Sequence, residues 1–161
     1  MSEAPSQEFQ KEGCIIRRAT PEDASAIRML YGELVSDPAI QILPEQIVAL
    51  SESLTSFLLV AESNKTVCGT ALLTVCPDVM YGSQPFAVIE NVVVTRTRRG
   101  SGIGRLLLGH AERLALEHDC TKIMLLSSAS RETAHSFFRG CGFSSDTKHA
   151  FVKYRRQFFD Q

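Results

Sequence analysis

The stretch RRGSGIG, residues 98–104, sets three glycines at alternate positions behind two arginines. IENVVVT runs into it and RLLLGHAERLALEHD follows it. Glycines let a backbone approach a ligand closely. At the start of a helix, successive amide groups and the helix dipole favour an anion. Spacing excludes two familiar nucleotide loops. A Walker loop ends in Gly-Lys-Ser/Thr, whereas Gly104 is followed by Arg105-Leu106. A dinucleotide fingerprint needs Gly-x-Gly-x-x-Gly, but Gly100-x-Gly102 reaches Arg105 at the third place. It also wants an acid closing the next strand, and that strand closes in Ser127-Ser128. A plain turn would explain one glycine and leave the rest without a purpose. What remains is Arg99-x-x-Gly102-x-Gly104, a cradle for phosphate oxygens to which Arg99 or Arg105 could add its charge.

The other reactive side chains assemble no site by spacing. Five cysteines (Cys14, Cys68, Cys76, Cys120, Cys141) are scattered and odd in number, with no Cys-x-x-Cys pair. The four histidines form no cluster of zinc-site spacing, so no metal is expected and the thiols read as free in a reducing compartment. Seventeen basic residues against eighteen acidic leave a net charge of −1, which argues against nucleic acid or an anionic membrane as partner. No run approaches transmembrane length, and MSEAPSQEFQKEG lacks the apolar centre of a signal peptide. The expectation is a cytoplasmic protein with a disordered leader over residues 1–13 and one domain over 14–161.

The elements that must hold the glycine loop are legible from periodicity. CIIRRA reads as a strand, and Thr20-Pro21-Glu22-Asp23 as an N-cap, a proline and first-turn acids. Ala24, Ile27, Leu30, Tyr31 and Leu34 follow at helical spacing, and Leu43-Pro44-Glu45 opens a second, short helix. SFLLVAE and TVCGTALLTVCP around Ser63-Asn64-Lys65 predict a hairpin. FAVIENVVVT predicts a long third member of that sheet. After the glycines come a helix with Ile103, Leu106, Leu107, Ala111, Leu114 and Ala115 on one face, the strand KIMLLSS, a helix through Phe137 and Phe138, and a final strand AFVKYRR. Hairpins first and a crossover later predict a mixed α/β sheet.

On these residues the chain resembles the GNAT superfamily of N-acetyltransferases, whose pyrophosphate loop reads Gln/Arg-x-x-Gly-x-Gly/Ala. The resemblance covers roughly residues 14 to 154: FLLVAESNKTVCGTALL looks like the family's second and third strands, and FFRGCGF resembles its Phe-Tyr-x-x-x-Gly-Phe segment. Locally, IENVVVTRTRRGSGIG and HDCTKIMLL resemble glucosamine-6-phosphate N-acetyltransferases. The resemblance implies a three-layer α/β/α fold. Its central sheet would be mostly antiparallel, with six to seven strands, splayed between the fourth and fifth.

The same resemblance implies a chemistry. Acetyl-CoA would be the acetyl donor, its pyrophosphate held by Arg99, Gly100, Ser101, Gly102, Ile103, Gly104 and Arg105. The pantetheine arm would pair with the backbone of Val92, Val93 and Val94, one amide of which would polarise the thioester carbonyl. Glu90 stands where several family members place their base, and would need burial to raise its pKa or a water to relay the proton. Alternatively it only orients the amine. Phe138 replaces the family's usual acid tyrosine, leaving Ser130, Ser136 and His135 as donors, or departure as a thiolate. Arg131 replaces an asparagine that often contacts pantetheine and could reach the cofactor's phosphates; Asn91 replaces an aspartate. The acceptor would be a small primary amine, in a pocket built from residues 21 to 51 and 77 to 85. A peptide acceptor and a non-catalytic acyl-CoA-binding module are the alternatives, the latter favoured by the absent tyrosine. RRQFFDQ carries two phenylalanines that could join a homodimer interface.

Overall fold

A computed structural model describes residues 13–158. The segment 1–12, nearly all of the expected leader, and residues 159–161, with Phe159, lie outside the described residues. The chain divides after Leu125 into two compact units.

The first unit carries a five-stranded sheet in the order β1-β2-β3-β4-β5. Its strands are β1 (Cys14–Arg18), β2 (Ser56–Ser63), β3 (Thr66–Cys76), β4 (Phe86–Val94) and β5 (Ile123–Leu125). The first four pair antiparallel, and β4 pairs parallel with β5. Helices α1 (Ala24–Leu34), α2 (Pro44–Glu52) and α3 (Ile103–Glu117) belong to this unit. Successive strand residues point to opposite faces, and β2 uses both. Leu58 and Val60 pack with Ile27 of α1 and Ile47 of α2. On the other face, Phe57 meets the His118 ring just past α3, with centroids 5.2 Å apart. The result is a sheet between two helices on one side and one on the other.

Gly69 sets the distance on the α3 side. A Cβ there would lie 3.1 Å from Leu107 Cδ1 and 3.2 Å from the Val93 carbonyl oxygen. The lack of a side chain lets α3 settle onto β3 and β4.

Ionic contacts fix the helices of the opposite face. Arg17 donates two hydrogen bonds to Asp23, at 2.7 and 3.0 Å, and one to Glu62 at 2.8 Å. The Asp23 carboxylate also accepts from the Thr20 amide at 2.8 Å, closing the turn that starts α1. Arg18 donates to the carbonyls of Ser51 (2.6 Å) and Ser53 (3.0 Å), where a cation suits the C-terminal end of α2.

The Arg17 guanidinium holds the Asp23 carboxyl below its usual range, although burial opposes this. A depressed folded-state pKa means stability that is complete above the unfolded value of about 3.9 and lost as pH falls through the folded one. Asp23→Asn should therefore lower stability at pH 7 by about 2–3 kcal/mol and flatten the decline below pH 4. Urea midpoints measured from pH 7 to pH 3 check both effects.

In the second unit, helix α4 (Glu132–Gly140) buries Phe138. The expected strand AFVKYRR is not formed: residues 151–154 have no regular structure, and a 3-10 turn follows at Arg155–Gln157. KIMLLSS shortens to Ile123–Leu125, so the described residues hold five strands rather than six or seven. A strand exists through its ladder to a neighbour, and β-propensity alone supplies no partner. Phe151 is accordingly 93% exposed. No helix among the described residues is long and apolar enough to cross a membrane, and none of their His, Cys, Asp and Glu side chains group as metal ligands.

Candidate active site

The glycine loop takes its shape from two left-handed residues. Gly100 has φ 77° and Gly102 φ 91°, values that cost a residue with a Cβ appreciable strain. Gly102 stands at the N-cap of α3, and its carbonyl accepts the Leu106 amide at 3.1 Å. Ile103 and Gly104 precede Leu106 in the first turn, where amide groups point along the axis away from the helix. Ile103 is buried and anchors the turn, while Gly104 carries no side chain to shield it. Ser101 Oγ donates to the Arg98 carbonyl at 2.6 Å and tightens the loop.

β4 supplies the second part. Its parallel ladder to β5 consists of Ala87↔Ile123, Val88↔Met124 and Ile89↔Leu125. Glu90 to Val94 extend past the end of that ladder. Toward β3 the register runs Leu72↔Glu90 and then Thr70↔Val93, so Asn91 and Val92 bulge opposite Ala71. Asn91 has φ 56°, and its side chain contacts the Tyr31 hydroxyl from α1. Burial pushes the Tyr31 phenol up, and the Asn91 contact works against it.

Glu90 is exposed at this bulge. The burial that one route to a basic carboxylate requires is not present; a relaying water remains open to it.

Glu33 of α1 was not singled out by the sequence, because an acid near a helix end is ordinarily a solvated residue. It accepts from Thr95 Oγ1 and from the Arg96 amide, both at 2.8 Å, and lies 3.8 Å from an Arg99 guanidinium nitrogen. Burial pushes its carboxyl up, but the bonds from Thr95 and Arg96, with the two guanidiniums, outweigh this and hold it below the usual value. Arg99 Nε also donates to the Val94 carbonyl at 3.1 Å. Glu33 thus ties α1 to the turn between β4 and the glycine loop. Glu33→Ala should release this turn from α1 and lower the melting temperature by only a few degrees, which thermal melts check.

Arg131 and Phe138 belong to the second unit. Arg131 caps α4, with its amide donating to the Ser128 carbonyl at 3.0 Å. Phe138 packs between Phe137 and Phe143, at ring-centroid distances of 5.3 and 6.2 Å. His135 Nε2 bonds the Ser128 carbonyl at 2.9 Å, and Ser128 and Ser130 share a hydroxyl contact at 3.2 Å. Ser127 Oγ is buried with no hydrogen-bond partner among the described residues.

The sequence model of the acetyltransferase (GNAT) family matches residues 22–143. An aminoglycoside N(6')-acetyltransferase type 1 from Stenotrophomonas maltophilia is 28% identical over 140 residues, which cover 86% of this chain and 91% of that protein. A structure from Agrobacterium tumefaciens, provisionally assigned as an acetyltransferase, is 31% identical with a TM-score of 0.78, covering 86% of this chain and 99% of its own. Glucosamine-6-phosphate N-acetyltransferase from Arabidopsis thaliana shares the fold at 20% identity, with a TM-score of 0.75 over 89% of this chain and 99% of its own.

Proposed function

The chain belongs to the acetyltransferase (GNAT) family, and from that premise we propose that it moves an acetyl group from acetyl-CoA to a primary amine of a small molecule. The observation that carries this reading is a continuous run of backbone. β4 leaves its β5 ladder at Ile89, bulges at Asn91, and leads through Gly100 and Gly102 into the N-terminus of α3. Residues 14–161 act in this reading as a single domain. Free cysteines along the chain suit the reducing cytoplasm.

Each residue then has a task. Amides of Gly100 to Arg105, with the Arg99 guanidinium, would hold the pyrophosphate. Backbone groups of Val92 to Val94 would pair with the pantetheine arm, and one amide would donate to the thioester oxygen as negative charge gathers on it. Glu90, being exposed, would take the proton of the incoming ammonium through a water. The free amine attacks the carbonyl carbon, a C–N bond forms, the nitrogen gives its second proton to water, and the C–S bond breaks. Phe138 holds no proton to give, so the leaving thiolate would take one from water.

The deciding experiment pairs calorimetry of acetyl-CoA binding with a screen of primary amines that follows thiol release. Micromolar binding and amine-dependent release are expected. Binding with no release for any amine would make the chain an acyl-CoA-binding module and overturn the proposal.

A further inference from the structure

A cavity of about 200 Å³ lies between α1, α2 and the sheet, bordered by Ile27, Tyr31, Gln46, Ile47, Leu58 and Leu72 among others. Its walls are largely aliphatic. Its polar members are Tyr31, Gln41 and Gln46, and no lining residue is charged. The cavity is not isolated from the chemistry proposed above. Leu58 pairs with Leu72, and Leu72 with Glu90, so the three form one row across β2, β3 and β4. Residues directly opposite each other on paired strands share a face and stand about 5 Å apart. The floor of the cavity therefore continues sideways to the Glu90 carboxylate. Tyr31 makes a second link, because it lines the cavity and contacts Asn91, the neighbour of Glu90.

We infer that this cavity receives the body of the acetyl acceptor, and that the acceptor is a monoamine with a compact apolar body rather than a polycationic amine. The inference rests on the proposed N-acetyltransferase reading and narrows its substrate. An ammonium head would sit at Glu90, and an aliphatic or aromatic body would cover Leu72, Leu58 and Ile47. Gln41 and Gln46 leave room for one neutral polar group on that body. A second ammonium placed in the cavity would leave water with no carboxylate to meet it, which is strongly unfavourable. The volume points the same way, because it is below the roughly 300–1,000 Å³ of ordinary small-molecule sites. A molecule of several amino-sugar rings exceeds it. The chain would thus differ in acceptor from the aminoglycoside acetyltransferase that it resembles in sequence.

The test compares 2-phenylethylamine and isopentylamine with spermidine and kanamycin, at saturating acetyl-CoA, by thiol release. The apolar monoamines should exceed the polycations by about 100-fold or more in kcat/KM. A preference for spermidine or kanamycin would overturn the inference and leave the N-acetyltransferase reading intact. Acetyl-CoA binding without release by any amine would remove both. Two variants locate the body. Ile42 is a half-buried member of the lining, and Ile42→Trp, which fills the cavity there, should raise KM for the apolar amines about 10-fold, with acetyl-CoA affinity unchanged. Gln46→Glu, at an exposed position, should raise the kcat/KM of spermidine relative to isopentylamine about threefold or more. Gln46→Glu with an unaltered ratio would place the acceptor elsewhere, whatever the stability of the tryptophan variant.

Discussion

Gly102→Glu is expected to abolish measurable acetyl-CoA binding, with an affinity loss of at least about 100-fold. Three effects act together. The residue occupies a left-handed conformation with φ 91° at the N-cap of α3, so any side chain strains the turn that presents the amides. A carboxylate at a helix N-terminus would also attract the same amides that are proposed to hold phosphate. Its negative charge would oppose the pyrophosphate directly. The loss of two charge-assisted hydrogen bonds amounts to about 3–6 kcal/mol, and each 1.4 kcal/mol is tenfold in affinity. Gly102→Ala separates the causes, because it adds the Cβ strain without charge and should cost only about 1 kcal/mol of stability. Calorimetric affinity alongside a thermal melt reads the difference. A folded Gly102→Glu protein that binds acetyl-CoA normally would sink the loop assignment.

Glu90→Gln should lower kcat about 100-fold, within the usual range for removal of a general base, and leave acetyl-CoA affinity within about twofold. The side chain projects beside the Asn91 bulge, just past the end of the β4–β5 ladder, on the face that the cavity floor reaches through Leu72. Glutamine keeps the size and the hydrogen bonding to a bound amine but cannot accept its proton. Orientation and proton transfer are thereby separated. If Glu90 only orients the amine, KM for the amine should change and kcat should hold. Steady-state kinetics at several pH values, with acetyl-CoA binding as the reference, distinguish the outcomes. Unchanged kcat at every pH would remove Glu90 from the chemistry.

Local chemistry made some of this protein readable in advance. The Thr20-Pro21-Glu22-Asp23 turn, a 3-10 turn over Pro21–Asp23 that leads into α1, follows from capping and the fixed φ of proline, both confined to a few residues. The turn in RRGSGIG follows from glycine's freedom at positive φ, and two of its three glycines use it. The apolar runs on either side of Ser63-Asn64-Lys65 form a true hairpin, with Asn64 and Lys65 both at positive φ. AFVKYRR failed for the complementary reason. Its pattern suits a strand, but the ladder that makes one must come from elsewhere in the chain.

The mixed α/β class and the left-handed turn of the glycine loop were legible in the sequence because they depend on periodicity and on residue types within short segments, and the family was legible through the resemblance of its motifs. Tertiary structure alone decided what lies around that loop. Glu33 is 62 residues from Thr95, and Leu58, Leu72 and Glu90 come from three strands. Such neighbours are set by strand register and helix packing, which no local pattern encodes. For the same reason an exposed Glu90, a tyrosine against Asn91 and an uncharged cavity beside them became visible only in the folded chain.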